Sequence, residues 1–285
     1  MWTELGPAEE LAPAKVNLTL HVTGRRPDGY HMLDSLVVFP RIGDVVRYEP
    51  SRTLGLSMSG AFGIDLAADR DNLVLRAAQM ALPDRQGAAL HLEKNLPVAS
   101  GIGGGSSDAA ATLRLLARVK GQEVAGDVVS LGADVPVCMT ARSQRMRGIG
   151  DRLDPLPPLP TFWLVLVNPG RPVPTGDVFR RLETVHNAGC DDLPENGFDD
   201  VTALASYLRA QRNDLEAAAK AVCPAVGDVL ERIAATRNVA LARMSGSGAT
   251  CFGLYATETD ALAAADVLRA DAPSWWVAAG PVSPN

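Results

Sequence analysis

The run Pro97-Val98-Ala99-Ser100-Gly101-Ile102-Gly103-Gly104-Gly105-Ser106-Ser107 constrains this chain more than any other stretch. Its glycines leave the backbone free to turn tightly and to present bare N–H groups. Ala109, Ala110, Leu113 and Leu116 then recur at helical spacing, so the loop opens a helix. Ser106 or Ser107 is its natural N-cap. Unpaired amides and the positive end of the helix dipole make such a junction an anion site, and phosphate is the usual anion. Two familiar phosphate loops are excluded. A Walker A loop needs Lys after its last Gly, where Ser106 stands, and a G-x-G-x-x-G pattern begun at Gly101 fails at Ser106. A flexible loop without a ligand is the alternative for this stretch taken alone.

At 285 residues the chain has the length of about two domains and needs no staples to bury a core. The net charge of −6 speaks against nucleic acid as the main partner. Cys138, Cys190, Cys223 and Cys251 lie far apart without C-x-x-C spacing, so neither a disulfide nor a cysteine metal site is expected. The first ten residues carry acids and no basic flank, so they do not read as a signal peptide. No apolar run approaches membrane-spanning length. The expectation is a cytoplasmic protein without a membrane partner.

Residues 15–22 alternate: Val16, Leu18, Leu20 and Val22 on one side, Lys15, Asn17, Thr19 and His21 on the other. This predicts a half-buried strand with Lys15 and Asn17 side by side on its polar face. Asp28-Gly29-Tyr30-His31 predicts a turn that exposes an aromatic ring beside an imidazole. Strands are expected at 36–39, 45–49, 54–58 and 90–93, and a helix at 72–81 capped by Asp71. The opening third is thus strand-rich, with two helices against the sheet. A brief helix at 127–131 stops at Gly132, Asp134 stands at a sharp bend, and 137–139 reads as a strand. The proline-rich 152–160 reads as a stiff linker and puts a boundary between domains 1–155 and 156–285. Beyond it, strands are expected at 162–167, 241–244, 251–255 and 275–278. Helices are expected at 175–183 (capped by Thr175), 201–209, 214–222, 225–235 and 258–270, with a loop at 188–200.

Three separated motifs stand in order: Pro13-Ala14-Lys15-Val16-Asn17-Leu18, the loop at 101–107, and Met244-Ser245-Gly246-Ser247-Gly248. Together they resemble the GHMP kinase superfamily over nearly the whole chain. Asp28-Gly29-Tyr30-His31, Gly132-Ala133-Asp134-Val135-Pro136 and Asn213-Asp214-Leu215-Glu216 sharpen the resemblance. They point to the branch that acts on a cytidine-diphosphate-bearing alcohol in the non-mevalonate isoprenoid pathway. Ala99 departs from a position where the family often has Gly, Asp151 stands where Glu is common, and the segment before Asp134 is short.

The resemblance implies an α+β, two-domain fold: a ribosomal-protein-like N-terminal domain, an α/β C-terminal domain, and an active site in the cleft between them. It implies transfer of the γ-phosphoryl group of ATP to a hydroxyl, with Mg²⁺ accompanying the nucleotide. Pro97, Val98, Ala99, Ser100, Gly101, Ile102, Gly103, Gly104, Gly105, Ser106 and Ser107 would hold ATP, and Asp108 or the serine hydroxyls could face the metal. Asp134 would act on the substrate hydroxyl as base or orienting group, with Lys15 as its cationic partner. Tyr30 and His31 would take the cytosine, Asn17 would add a polar contact, and Ser245, Gly246, Ser247 and Gly248 would approach phosphates and substrate. The alternatives are a mevalonate- or homoserine-type kinase, or a non-catalytic sensor that keeps the fold. A monomer or a homodimer is expected.

Overall fold

The computed structural model describes residues 7–64, 66–69, 71–82, 86–121, 123–124 and 126–283. The reading of the amino-terminal ten residues therefore lies largely outside the described residues. In chain order the first elements are β1 (Ala8–Pro13), β2 (Val16–Asn17), β3 (His21–Arg25), β4 (His31–Val38), β5 (Gly43–Glu49) and β6 (Leu54–Ser59). Next come α1 (Leu73–Ala81), β7 (Ala88–Glu93), α2 (Gly104–Lys120), a 3₁₀ turn (Val128–Leu131), α3 (Val135–Thr140), β8 (Gln144–Gly148) and β9 (Arg152–Pro155). The remainder is β10 (Phe162–Asn168), α4 (Thr175–Arg180), α5 (Val201–Ala210), α6 (Glu216–Val222), α7 (Ala225–Ala234), β11 (Leu241–Met244), β12 (Cys251–Tyr255), α8 (Glu258–Asp271) and β13 (Trp276–Val282).

These elements form two compact units. The first takes the described residues of Met1–Ala14, Gly43–Val98 and Gly103–Ala141; the second takes those of Lys15–Ile42, Ala99–Ile102 and Arg142–Asn285. In the first unit a sheet of order β1-β5-β7-β6 is antiparallel except for β6 and β7, which run parallel and are joined through α1. Val46, Leu90 and Leu92 of the sheet pack with Val74 and Ala78 of α1 and Leu115 and Leu116 of α2. The expected strand-rich opening with two helices is thus present.

In the second unit an antiparallel sheet of order β11-β12-β10-β13 buries Val165 and Val167 with Val229 and Ile233 of α7 and Ala265 and Leu268 of α8. A further sheet runs β2-β4-β8-β9, with β3 also paired to β4.

Several expectations need correction. The expected single strand at 15–22 is broken between β2 and β3, and its polar side is not solvated: Lys15, Asn17, Thr19 and His21 are all buried. Side chains stand in for the ladder at the break. Thr19 Oγ1 accepts the Leu36 N–H at 2.9 Å, and Ser35 Oγ donates to the Thr19 carbonyl. His21 Nδ1 meets the Ala188 carbonyl at 3.1 Å. Thr19 and His21 thus find their partners on other segments, which is the condition for burying them.

Residues 137–139 are helical in α3 rather than extended, because Asp134 and Pro136 start a helix that a three-residue apolar run cannot reveal. Asn72, not Asp71, caps α1 by accepting the Val74 N–H at 3.0 Å. Pro174, not Thr175, precedes α4, which ends at Arg180. The first four residues of the expected linker form β9, paired to β8.

Candidate functional site

Helix α2 starts at Gly104, and its N-cap is Gly103 in the left-handed region (φ 63°), with no side-chain cap. Ser106 and Ser107 therefore lie inside the first turn, contrary to the expected serine cap. Ser107 is fully buried and donates through Oγ to the Pro13 carbonyl at 2.7 Å. That bond ties the first turn to the end of β1. A glycine cap leaves the first amides of α2 without a competing side-chain acceptor, as an anion site requires.

Beneath this turn lies a buried charge cluster that sequence reasoning missed. Lys94 Nζ donates to Asp108 Oδ2 at 2.6 Å and to Asp44 Oδ2. Asp44 Oδ1 also accepts the N–H groups of Asn95 (2.6 Å) and Leu96 (2.8 Å). A Cβ on Gly104 would stand 3.2 Å from Lys94 Nζ, so the ammonium sits against the first residue of α2. Burial alone would lower the Lys94 pKa, but its charge and hydrogen-bond contacts with Asp108 and Asp44 outweigh it and raise it. Burial foremost, with the charge of Asp44, lifts the Asp108 carboxyl to about 8 against the pull of Lys94. The composition signal was available, since Lys is rare in this chain and Lys94 stands three positions before the loop begins at Pro97.

In the same unit Gly132 (φ 157°) ends the 3₁₀ turn, and Asp134 is the N-cap of α3, its carbonyl accepting the Cys138 N–H at 3.2 Å. A Cβ on Gly132 would lie 3.6 Å from Ser106 Oγ. The Gly132–Asp134 bend and the first turn of α2 are therefore neighbours. Pro97 and Val98 belong to this unit, and Val98 is exposed.

The second unit holds Lys15, Asn17 and residues 99–102 of the loop. The Lys15 N–H donates to the Ile102 carbonyl at 2.9 Å. Asn17 donates its backbone N–H to Ser245 Oγ at 3.0 Å and its amide Nδ2 to Ser35 Oγ at 2.7 Å. Its Oδ1 is a buried acceptor with no hydrogen-bond partner. Ser245 Oγ donates in turn to the Gly101 carbonyl at 3.2 Å, and Ser100 accepts the Thr250 N–H through its carbonyl at 3.2 Å.

Two glycine loops thus meet backbone to backbone. A Cβ on Gly101 (φ 76°) would lie 2.6 Å from the Gly248 carbonyl oxygen, and one on Gly246 (φ 56°) would lie 2.6 Å from the Gly101 carbonyl oxygen. No side chain fits at either position. Ser247 shares a 2.9 Å hydroxyl contact with Thr175, and the Gly248 N–H closes the turn on the Ser245 carbonyl at 3.0 Å. Ala99 is exposed and adopts φ 50°, a conformation that L-residues rarely take.

Tyr30 is 61% exposed in the turn after Gly29, whose φ is 94°. His31 opens β4, and its ring stacks on Phe179 with centroids 4.6 Å apart and planes 26° apart. Burial, then the charge of Arg25, lowers the His31 pKa from its ordinary value. Phe179 lies in a stretch read only as a helix, where nothing local marks it as a ring partner.

The chain matches the GHMP kinases N terminal domain family over residues 72–151 and the GHMP kinases C terminal family over residues 192–274. A Cereibacter sphaeroides (strain ATCC 17025 / ATH 2.4.3) protein named 4-diphosphocytidyl-2-C-methyl-D-erythritol kinase is 54% identical over 94% of this chain and 97% of its own length. The chain belongs to the GHMP kinase family. The Paracoccus denitrificans (strain Pd 1222) protein of the same name is 52% identical over 96% of this GHMP kinase and 97% of its own length. A crystal structure of 4-(cytidine 5'-diphospho)-2C-methyl-D-erythritol kinase superposes with a TM-score of 0.77 at 35% identity, covering 97% of this chain and 100% of that one. A crystal structure of L. major mevalonate kinase in complex with R-mevalonate shares the fold alone, with a TM-score of 0.67 at 14% identity over 100% of this chain and 99% of that one. As a GHMP kinase with the two-domain fold of that family, the chain is an ATP-dependent small-molecule kinase.

Proposed function

We propose that this GHMP kinase transfers the γ-phosphoryl group of ATP to the 2-hydroxyl of 4-diphosphocytidyl-2-C-methyl-D-erythritol, giving the 2-phosphate and ADP in isoprenoid precursor biosynthesis. The observation that carries the reading is the junction of Asn17, Gly101 and Ser245–Gly248, built in a chain 54% identical to a kinase of that name. A buried, unpaired amide oxygen beside two glycine loops locked together suits a ligand hydroxyl, which can donate to it, better than a plain strand connector.

In this reading the amides of the first turn of α2 and the 97–107 loop hold the ATP phosphates. Asp134 orients the hydroxyl or takes its proton, and Lys15 stabilises charge on the transferring group. Tyr30 offers an exposed face to cytosine, and His31, held in orientation by Phe179, offers a ring nitrogen to its edge. Asn17 Oδ1 is the acceptor for a substrate hydroxyl. The division into domains 1–155 and 156–285 belongs to this reading, with the family matches over residues 72–151 and 192–274 as its support. The kinase would work in the cytoplasm, as a monomer or a homodimer.

Among the described residues no group of three or more His, Cys, Asp or Glu side chains gathers to hold a metal. Ser107 is engaged by Pro13 and Asp108 by Lys94, which leaves the half-buried Ser106 hydroxyl as the candidate ligand in the first turn. These residues fit a Mg²⁺ that rides on the nucleotide and keeps its waters. Bound there, Mg²⁺ would neutralise phosphate charge.

The test is ADP release by purified protein with Mg·ATP, comparing 4-diphosphocytidyl-2-C-methyl-D-erythritol with mevalonate and homoserine. Turnover on the cytidine alcohol alone is the expected result. Turnover on another alcohol instead would overturn the substrate assignment.

A further inference from the structure

Residues 213–216 (Asn-Asp-Leu-Glu) and Arg243 have no place in the chemistry above, yet they make a dense set of hydrogen bonds. Asn213 Nδ2 donates to the carbonyls of Met244 (2.8 Å) and Gly246 (2.9 Å), and its Oδ1 accepts the Leu215 N–H at 3.0 Å. Only a carboxamide supplies two donors and an acceptor from one short side chain. On either side of Asn213 the backbone is stitched to Leu20, three residues past Asn17 in the link between β2 and β3. The Leu20 N–H donates to the Arg212 carbonyl, and the Asp214 N–H donates to the Leu20 carbonyl, each at 2.8 Å. Asp214 Oδ2 accepts the Val22 N–H at 2.8 Å, and Glu216 Oε2 accepts the Met244 N–H at 3.2 Å.

Arg243 completes the set. Its buried guanidinium donates through Nη1 to the Leu18 carbonyl (2.9 Å) and through Nη2 to the carbonyls of Leu208 (2.7 Å) and Gln211 (2.8 Å). A cation this buried would ordinarily sit on a carboxylate; here it is spent on three carbonyls, one of them one residue past Asn17.

We infer that Asn213 and Arg243 are positioning residues that hold the Lys15–Asn17 segment in register with the Ser245–Gly248 turn. Neither touches a reacting group. They act on phosphoryl transfer by fixing the distance between Asn17 and the turn, because a displacement of about 1 Å at a reacting centre can cost 10²-fold in rate. The inference rests on the kinase reading for its effect on turnover, but not for its effect on the turn.

The test is Asn213→Asp, which keeps the shape and sets an oxygen against two carbonyl oxygens. Two readouts are taken on the full chain: amide hydrogen exchange at residues 245–249, and kcat with KM for each substrate. Exchange should accelerate at least about tenfold and kcat should fall about 10- to 100-fold, with KM for ATP held within about twofold. Arg243→Lys, which keeps the charge but loses the fork, should move both readouts the same way, and it serves if Asn213→Asp does not fold. Unchanged exchange in both variants would overturn the clamp whatever the wild type phosphorylates. Faster exchange with wild-type kcat would overturn the positioning role. An inactive wild type whose exchange still responds would overturn the kinase reading and leave the clamp supported by exchange alone.

Discussion

The backbone N–H of Asn17 donates to Ser245 Oγ at 3.0 Å, joining residues 228 positions apart. The same hydroxyl donates to the Gly101 carbonyl at 3.2 Å, so one serine links three of the family's motifs. Ser245→Ala leaves the Asn17 N–H buried without its acceptor, which costs about 1–3 kcal/mol. Urea denaturation should show a lower midpoint of that size at unchanged slope. A wild-type midpoint would mean that water replaces the hydroxyl at no cost.

Asp134 caps α3 through its backbone and makes no side-chain cap bond there. Asp134→Asn keeps the side-chain shape, so it should keep the fold and ATP affinity while kcat falls by about 10²–10⁴. Calorimetric ATP binding and single-turnover rates on the same preparation check this. A near-wild-type rate removes Asp134 from the mechanism.

His31 has a pKa below its ordinary 6.5, so its imidazole is neutral at pH 7. A depressed value means that the neutral form is favoured in the folded protein, and its contribution is lost only as pH falls through that lowered pKa. The kcat/KM for the cytidine alcohol should be level near neutrality and decline below pH 6.5, and His31→Asn should abolish that limb. Tyr30→Ala should raise KM for the same substrate and leave KM for ATP alone. Equal effects on both substrates would refute the assignment of the two residues.

Asp108 binds its proton up to about pH 8 in the folded chain but only to 3.8 in a solvated carboxyl. The folded state then holds more protons than the unfolded state. This contribution to stability is complete below pH 3.8 and is lost as pH rises through about 8. Asp108→Asn should flatten the decline in stability between pH 5 and 8, read by denaturation at both ends. Parallel slopes in the two proteins would contradict the raised value.

Ala99 holds φ 50° on an exposed stretch, so Ala99→Gly removes backbone strain without removing packing. The relief of about 1–2 kcal/mol is partly offset by the about 0.5–1 kcal/mol of chain entropy that glycine brings. A gain of up to about 1 kcal/mol is expected by thermal denaturation. A clear loss would show that the alanine methyl makes a contact of its own.

Much of this kinase was legible from neighbouring residues. The glycine spacing at 101–105 announced the loop, the apolar spacing after it announced α2, and Gly132 announced the end of a short turn. Each of these depends on backbone preference or periodicity within a few positions. The run at 137–139 was too short to show a period and was read as strand, although it is helix.

The sequence by itself determined the family, the glycine loop before α2 and most of the helices, because those follow from motif order, φ preferences and apolar spacing along a short span of chain. The tertiary structure alone decided what the polar groups do. The alternation at 15–22 reads as one wet and one dry face, yet both are dry, because Ser35, Ala188 and Ser245 arrive from elsewhere to pair with it. Asn213 was visible as a motif and silent about its task, since its acceptors lie at 244 and 246. A buried donor is satisfied by whichever distant segment folds back to it, and local sequence carries no record of that partner.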